Sequence, residues 1–246
     1  MKSGRRAFLR MAGGAAVATA AGVALGCARH EGRRRRLGMA IDIQRCVAAD
    51  GCRACIEACH RAHNVPAIAD IRHEVKWIWK EPFERAFAIE DAETVSAGLR
   101  GRGVTVFCNH CDNPPCVRVC PTQATWARDD GIVTIDEHRC IGCRYCVAAC
   151  PYGSRSFNWV DPQPFVHRPL SAYPTRTRGV VEKCNLCEER LAEGRLPACV
   201  EACPERAMVF GDLSDPASEV RRVIGERYTT RRKPELGTRP QVYYLI

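Results

Sequence analysis

Apolar residues in this chain come in short runs broken by turn residues, with no long amphipathic stretch. The runs Met39–Ile43, Gly103–Phe107, Thr125–Arg128, Ile132–Ile135, Gly179–Val181 and Ala207–Phe210 read as strands. Asp130-Gly131 can turn the third run back into the fourth, which predicts a hairpin. Short helices are expected after Cys55, Cys116, Cys146 and Cys199. This pattern predicts an α+β protein of short strands, short helices and many loops. One run differs from the rest. Met11 to Leu25 is mostly Ala and Gly, and it is shorter than the roughly 20 residues that span a bilayer.

That run follows Arg5-Arg6-Ala7-Phe8-Leu9, so residues 1–26 resemble a twin-arginine export signal. Such a route carries folded proteins with cofactors already inserted, and it implies a periplasmic destination. Cys27 follows directly. A lipoprotein signal would place Leu three residues before the modified Cys, but Ala24 stands there and Leu25 is one place late. Ala24-Leu25-Gly26 suits ordinary cleavage, with lipidation of Cys27 as the alternative. The basic run Arg33–Arg36 lies in a stretch, 27–38, that reads as a solvated linker. Residues 39–246 remain as the working region.

Composition sharpens the picture at one residue type. The chain has 246 residues, of which 7% are aromatic and 17 are Cys. Sixteen of these cysteines fall into four groups of four. Group one is Cys46, Cys52, Cys55 and Cys59; group two is Cys108, Cys111, Cys116 and Cys120. Group three is Cys140, Cys143, Cys146 and Cys150; group four is Cys184, Cys187, Cys199 and Cys203. Group three has the spacing C-x2-C-x2-C-x3-C-P, in which a tight loop can wrap three corners of a cubane while the fourth Cys ligates a second cluster. The other groups keep the final C-x3-C and stretch the earlier gaps. Groups two, three and four place Pro121, Pro151 and Pro204 after the last Cys, whereas group one has His60. Structural zinc also uses C-x2-C pairs, but it calls for no third close Cys with a fourth donated elsewhere. Disulfides need no repeated spacing. The spacing therefore predicts four [4Fe–4S] clusters with all sixteen cysteines as iron ligands.

The formal charge of +9 invites a nucleic-acid reading. Setting aside the four basic residues of the first 26 leaves +5. Four thiolates on an oxidised cluster core carry about −2 per site, so the loaded protein sits near −3 (an order-of-magnitude count). No aromatic-and-basic RNA pattern accompanies the charge. Nor is there a nucleophile–base signature, a phosphate-binding Gly loop, or a flavin or pterin motif.

The predicted hairpin lies among the nineteen residues between Cys120 and Cys140, as in a two-cluster bacterial ferredoxin. Ala207–Phe210 follows Pro204 much as Ala124–Ala127 follows Pro121. The protein thus reads as duplicated ferredoxin-like units with insertions. An inner unit spans about 103–160, and an outer one joins about 39–66 to 179–212. Fourth ligands can be exchanged sequentially, one with two and three with four, or in a nested way, two with three and one with four. The compact hairpin favours the nested choice.

Several segments carry a family resemblance: GCRACIEACHRAHNVP (51–66), CNHCDNPPCVRVCPTQATW (108–126), HRCIGCRYCVAACPYGSRSFNW (138–159), GVVEKCNLCEERL (179–191) and RRKPELGTRP (231–240). They resemble the four-cluster ferredoxin-like subunits that accompany molybdopterin oxidoreductases and NrfD-type quinone-interacting membrane proteins. The resemblance is closer to the DsrO branch, the periplasmic iron–sulfur subunits of Dsr membrane complexes. It implies nested ligation. The sets would be Cys46, Cys52, Cys55 and Cys203; Cys108, Cys111, Cys116 and Cys150; Cys140, Cys143, Cys146 and Cys120; and Cys184, Cys187, Cys199 and Cys59. It also implies a non-catalytic electron-transfer subunit. Its partners would be an NrfD-like membrane subunit (DsrP-like), a multihaem cytochrome c (DsrJ-like) and DsrMK-like subunits, in sulfur metabolism. The competing implication is the beta subunit of a periplasmic molybdopterin oxidoreductase.

Several other residues invite a role. His60, His63 and His73 surround the end of group one and read as hydrogen-bonding or interface residues, because each cluster already has a full cysteine set. His110 reads as loop filling, with tuning of a potential as the alternative. Trp77, Trp79, Trp126 and Trp159 read as core or interface. Arg118, Arg144 and Arg155 either offset cluster charge or face solvent.

Overall fold

Leu37 to Ile41 is apolar on both faces, as expected of a strand covered on both sides. In the computed structural model this segment lies in the fully buried strand β1 (Leu37–Asp42). The structure describes residues 34–87, 95–170 and 172–246, and Arg35–Ile246 forms one compact unit. β1 runs into α1 (Ile43–Ala48), where the Asp42 carboxylate accepts the Arg45 N–H at 3.0 Å and caps the helix. α2 (Ala54–Ala62) follows. β2 (Ile78–Pro82), α3 (Phe83–Phe87) and β3 (Gly103–Phe107) come next, with the two strands antiparallel from Ile78↔Phe107 to Pro82↔Gly103. α4 (Pro115–Arg118) leads to the hairpin of β4 (Thr125–Ala127) and β5 (Val133–Ile135). Its turn passes through Gly131, whose φ of 86° lies where only Gly is unstrained. Then come α5 (Tyr145–Ala149), β6 (Ser156–Phe157), β7 (Val181–Glu182), α6 (Glu188–Ala192) and α7 (Ala198–Glu201). The chain ends with β8 (Met208–Asp212), α8 (Glu219–Glu226), β9 (Thr229–Thr230) and β10 (Val242–Leu245).

The largest sheet has the order β8-β1-β10-β9. β1 pairs antiparallel with β8 and parallel with β10. Alternation splits β1 between two cores: Leu37, Met39 and Ile41 join the main core, whereas Ala40 packs with Val220 and Leu245 beneath α8. α8 presents Val220, Val223 and Ile224 to this layer, the i, i+3, i+4 stripe of a helix lying on a sheet. Gly38 is dictated by this crowding. A Cβ there would collide with Leu213 Cδ1 and stand 2.5 Å from the Gln241 carbonyl oxygen.

Several elements differ from the sequence pattern in an instructive way. β3 spans the anticipated residues, but the run Gly179–Val181 is a strand only from Val181. Gly179 instead turns at φ 90° and donates its N–H to the Asn158 carbonyl at 2.8 Å. The four short helices begin one residue ahead of the third Cys of each group rather than after it. β2, β10, α1, α3, α6 and α8 carry no run that singled them out. The linker over 27–38 is cut short. Leu37 and Gly38 belong to β1, and half-buried Arg36 donates its N–H to Asp212 Oδ1 at 2.8 Å and Nη2 to the His110 carbonyl at 3.0 Å. The export signal and Cys27 lie outside the described residues. Among the described residues no helix is long and apolar enough to cross a membrane.

Candidate metal centres

Each cysteine group is built by the same local backbone. The residue just before the second Cys lies in the left-handed region every time: Gly51 at φ 71°, His110 at 42°, Gly142 at 68° and Leu186 at 60°. That turn makes a concave row of N–H groups, a geometry suited to an anion. At Gly142 a side chain is excluded twice over, by the positive φ and by the Gly179 carbonyl against its missing Cβ. After the fourth Cys, Gln123, Gly153 and Arg206 turn left-handed at the same offset in groups two, three and four. Group one departs from this, and Pro explains why. A residue preceding Pro is pushed out of the helical region, so α4, α5 and α7 stop before Pro121, Pro151 and Pro204, with Cys150 extended at ψ 108°. With His60 in that position, α2 runs on through Cys59 to Ala62.

Folding draws cysteines together across groups. Cys108, Cys111 and Cys116 line one cavity with Cys150. Cys140, Cys143 and Cys146 line another with Cys120. Cys46 and Cys55 flank the Thr105 hydroxyl at 3.4 Å and 3.9 Å. Cys52 shares a cleft with Cys46, and Cys203 lies beside Cys55. Cys59 is surrounded by Cys184, Cys187 and Cys199. The quartets also adjoin one another: Cys199 is close to Cys55, Cys184 to Cys108, and Cys146 to Cys116. They therefore form a series. Its order is the quartet of Cys46, that of Cys59, that of Cys108 and that of Cys140.

The donor chemistry fits iron–sulfur clusters. All sixteen described cysteines are free thiols, buried or half-buried. Burial, reinforced by Cys108, pushes the Cys111 thiol up to about 12, and burial raises Cys59 and Cys199 far above the ordinary range. Thiolates packed this closely need a cationic core between them, which an iron–sulfur cluster supplies. Donors to sulfur are already in place. The N–H groups of Leu186, Ala198 and Ala207 point at Cys184, Cys187 and Cys203 Sγ at 3.4, 3.4 and 3.3 Å. Lys80 Nζ is 3.1 Å from Cys46 Sγ, and Arg155 Nη2 is 3.2 Å from Cys116 Sγ.

Comparison with known proteins agrees with this geometry. The family model described as a 4Fe-4S dicluster domain matches residues 103–163 and 169–213. The sequence is 38% identical to the Hdr-like menaquinol oxidoreductase iron-sulfur subunit 1 of Archaeoglobus fulgidus, covering 86% of this protein and 83% of that one. It belongs to the iron–sulfur subunits of oxidoreductases. The subunit is also 37% identical to the menaquinone reductase iron-sulfur cluster-binding subunit of Nitratidesulfovibrio vulgaris, over 85% of its own length and 88% of that relative's. With the B subunit of polysulfide reductase from Wolinella succinogenes the identity is 36%, over 86% and 94% of the two proteins.

The remaining candidate residues sort clearly. His63 is buried; its Nε2 lies 2.7 Å from Glu189 Oε1, its Nδ1 lies 3.0 Å from the Cys59 carbonyl, and its ring stacks on Trp77 at 4.7 Å. Burial opposes its charge, but hydrogen bonds with Cys187 and Glu189 outweigh burial and push it up to about 9. His110 does more than fill a loop, since its Nδ1 accepts the Val133 N–H at 3.1 Å. Trp77 is core, while Trp126 and Trp159 are exposed. Of the three arginines, Arg155 reaches a sulfur. Arg144 stacks on Trp159 at 4.7 Å, and Arg118 donates to Asn113. Sequence reasoning missed Lys80, Thr105 and Asn109. The first two meet cysteine only through the β2–β3 register. Asn109 had a signal, its place inside a C-x2-C loop.

Proposed function

We propose that this subunit relays electrons through four [4Fe–4S] clusters in an exported, membrane-associated complex. The observation that carries the reading is the unbroken series of four cysteine quartets, each adjoining the next. The proposed ligand sets are the nested ones. Cys203 completes the set of Cys46, Cys52 and Cys55; Cys150 completes that of Cys108, Cys111 and Cys116. Cys120 completes the set of Cys140, Cys143 and Cys146; Cys59 completes that of Cys184, Cys187 and Cys199. Support comes from the shared cavities and proximities and from the repeated left-handed positions, which also favour duplicated ferredoxin-like units. The clusters supply one-electron transfer when bound. The protein would hold them on buried and half-buried cysteines, with N–H groups aimed at cysteine sulfur and Lys80 and Arg155 beside it.

The partners we infer are an NrfD-like (DsrP-like) quinone-interacting membrane subunit, a DsrJ-like multihaem cytochrome c and DsrMK-like subunits, in Dsr-type sulfur metabolism outside the cytoplasmic membrane. The names of the menaquinol and menaquinone relatives favour a quinone-linked role. Purification of the intact complex, with its subunits identified, tests this. A multihaem cytochrome and an NrfD-like subunit are expected. A large pterin-binding subunit in their place would make this the beta subunit of a molybdopterin oxidoreductase.

A further inference from the structure

The cavity lined by Cys108, Cys111, Cys116 and Cys150 holds two buried donor side chains whose hydrogen bonds the protein leaves open. Asn109 lines this cavity and is 1% exposed, yet neither its Nδ2 nor its Oδ1 has a partner. Because both terminal atoms are open, the amide can present its N–H2 in either orientation. Arg155 lines the same cavity and is 4% exposed. Its Nη2 donates to Cys116 Sγ at 3.2 Å and to Thr125 Oγ1 at 2.7 Å, while its Nη1 has no partner; the guanidinium also stands beside Cys146 of the neighbouring quartet.

A buried amide without partners and a buried guanidinium with an open Nη1 are unfavourable, and folded proteins rarely keep such groups unsatisfied. The chemistry that would satisfy both is a cluster in the cavity, whose sulfurs are acceptors and whose net charge is negative. No carboxylate lines this cavity to balance Arg155. The neighbouring cavity of Cys120, Cys140, Cys143 and Cys146 differs. Among the described residues, no buried side-chain donor without a partner lines it, and its Arg144 is stacked on Trp159 and Phe157.

We propose that Asn109 and Arg155 are potential-setting residues that donate to the sulfurs of the cluster held by Cys108, Cys111, Cys116 and Cys150, and that Asn109 raises its reduction potential above that of the neighbouring centre. The proposal rests on the four-cluster reading. Its physics is differential. Reduction adds negative charge to the sulfurs, so N–H donors and a buried cation stabilise the reduced form more than the oxidised one. A step of easy reduction in mid-series would hold an electron within the subunit.

The test is a redox titration of the iron-loaded full-length protein followed by EPR, with Cys111→Ser marking which signal belongs to this cluster. Asn109→Leu removes the amide at similar volume. It should lower the midpoint of that signal by about a tenfold change in the one-electron ratio, equivalent to about 59 mV, and leave the other centres in place. Asn109→Ser restores a donor and should recover part of the shift. Arg155→Lys keeps the charge but loses the forked donor, so it should lower the same signal, with a smaller shift at the centre of Cys146; it decides the matter if Asn109→Leu loses iron. Fully loaded variants whose midpoints match the parent, or shift equally at every centre, overturn the proposal. If Cys111→Ser alters no signal in an otherwise loaded protein, the four-cluster reading falls and takes the proposal with it, which separates the two failures.

Discussion

The Lys80 ammonium stands 3.1 Å from the sulfur of Cys46, 34 positions away in sequence. The β2–β3 register creates this contact. It pairs Lys80 with Thr105, whose hydroxyl lies between Cys46 and Cys55. A cation beside a ligating thiolate favours the reduced cluster. Lys80→Met should therefore lower the midpoint of the centre that Cys46 ligates, on the order of tens of millivolts against about 59 mV per tenfold one-electron ratio. Potentiometry on the loaded protein reads this, and an unchanged midpoint would show that solvent already screens the charge.

The nested ligand sets make a pairwise prediction. Cys203→Ser and Cys52→Ser should perturb one and the same EPR centre, though the two residues are 151 positions apart. Cys59→Ser should perturb a different centre, shared with Cys187→Ser. If Cys59→Ser and Cys52→Ser alter the same signal, group one closes on itself and nested ligation is wrong. In the parent, about sixteen iron and sixteen sulfide per protein are expected from four cubanes; stoichiometric zinc without visible absorption would sink the cluster reading.

Glu182 is a buried hub. It accepts the Trp77 indole N–H at 3.0 Å and the Asn158 amide, with Arg176 Nε at 3.6 Å. Glu182→Ala strands the Trp77 and Asn158 donors but leaves Arg176 its closer partner Glu137 at 2.8 Å, so it should cost roughly 1–3 kcal/mol for each stranded donor. Glu182→Gln keeps an acceptor and should cost less. Thermal loss of cluster absorbance gives the ranking, and equal midpoints for both variants would contradict it.

The last strand closes the main sheet. β10 separates β1 from β9, and Tyr244 Oη donates to the Thr105 carbonyl at 3.2 Å. Truncation after Pro240 would leave β1 with an open edge, a known hazard for aggregation. We expect an iron-poor, aggregating product by iron assay and light scattering. A soluble truncated protein with its full iron would show that β10 is dispensable.

Export makes the fifth prediction. Replacing Arg5 and Arg6 with Lys should leave cluster-loaded precursor in the cytoplasm, because the paired arginines are what the folded-protein route reads. Fractionation with an iron assay checks it, and unchanged delivery refutes the signal assignment.

The cysteine groups, their turns and the β4–β5 hairpin were legible because each is local. C-x2-C spacing and Pro121, Pro151 or Pro204 act within a few residues, through backbone sterics that hold in any context. Even the longer α2 was written in one position, His60 in place of Pro. Helices α1, α3 and α6, of five or six residues each, were not legible, because elements so short lack the turns needed to show a period.

By itself, then, the sequence determined the four cysteine groups, the loops that carry them and the family of the protein. The tertiary structure decided which distant groups meet. β10 returns parallel to β1 across some two hundred positions, Lys80 and Thr105 reach Cys46 and Cys55 through strand register, and Asn109 and Arg155 share a cavity although they lie in different cysteine loops. Such contacts depend on how short elements pack against one another, and packing is the sum of many weak, non-directional terms that no local window of sequence contains.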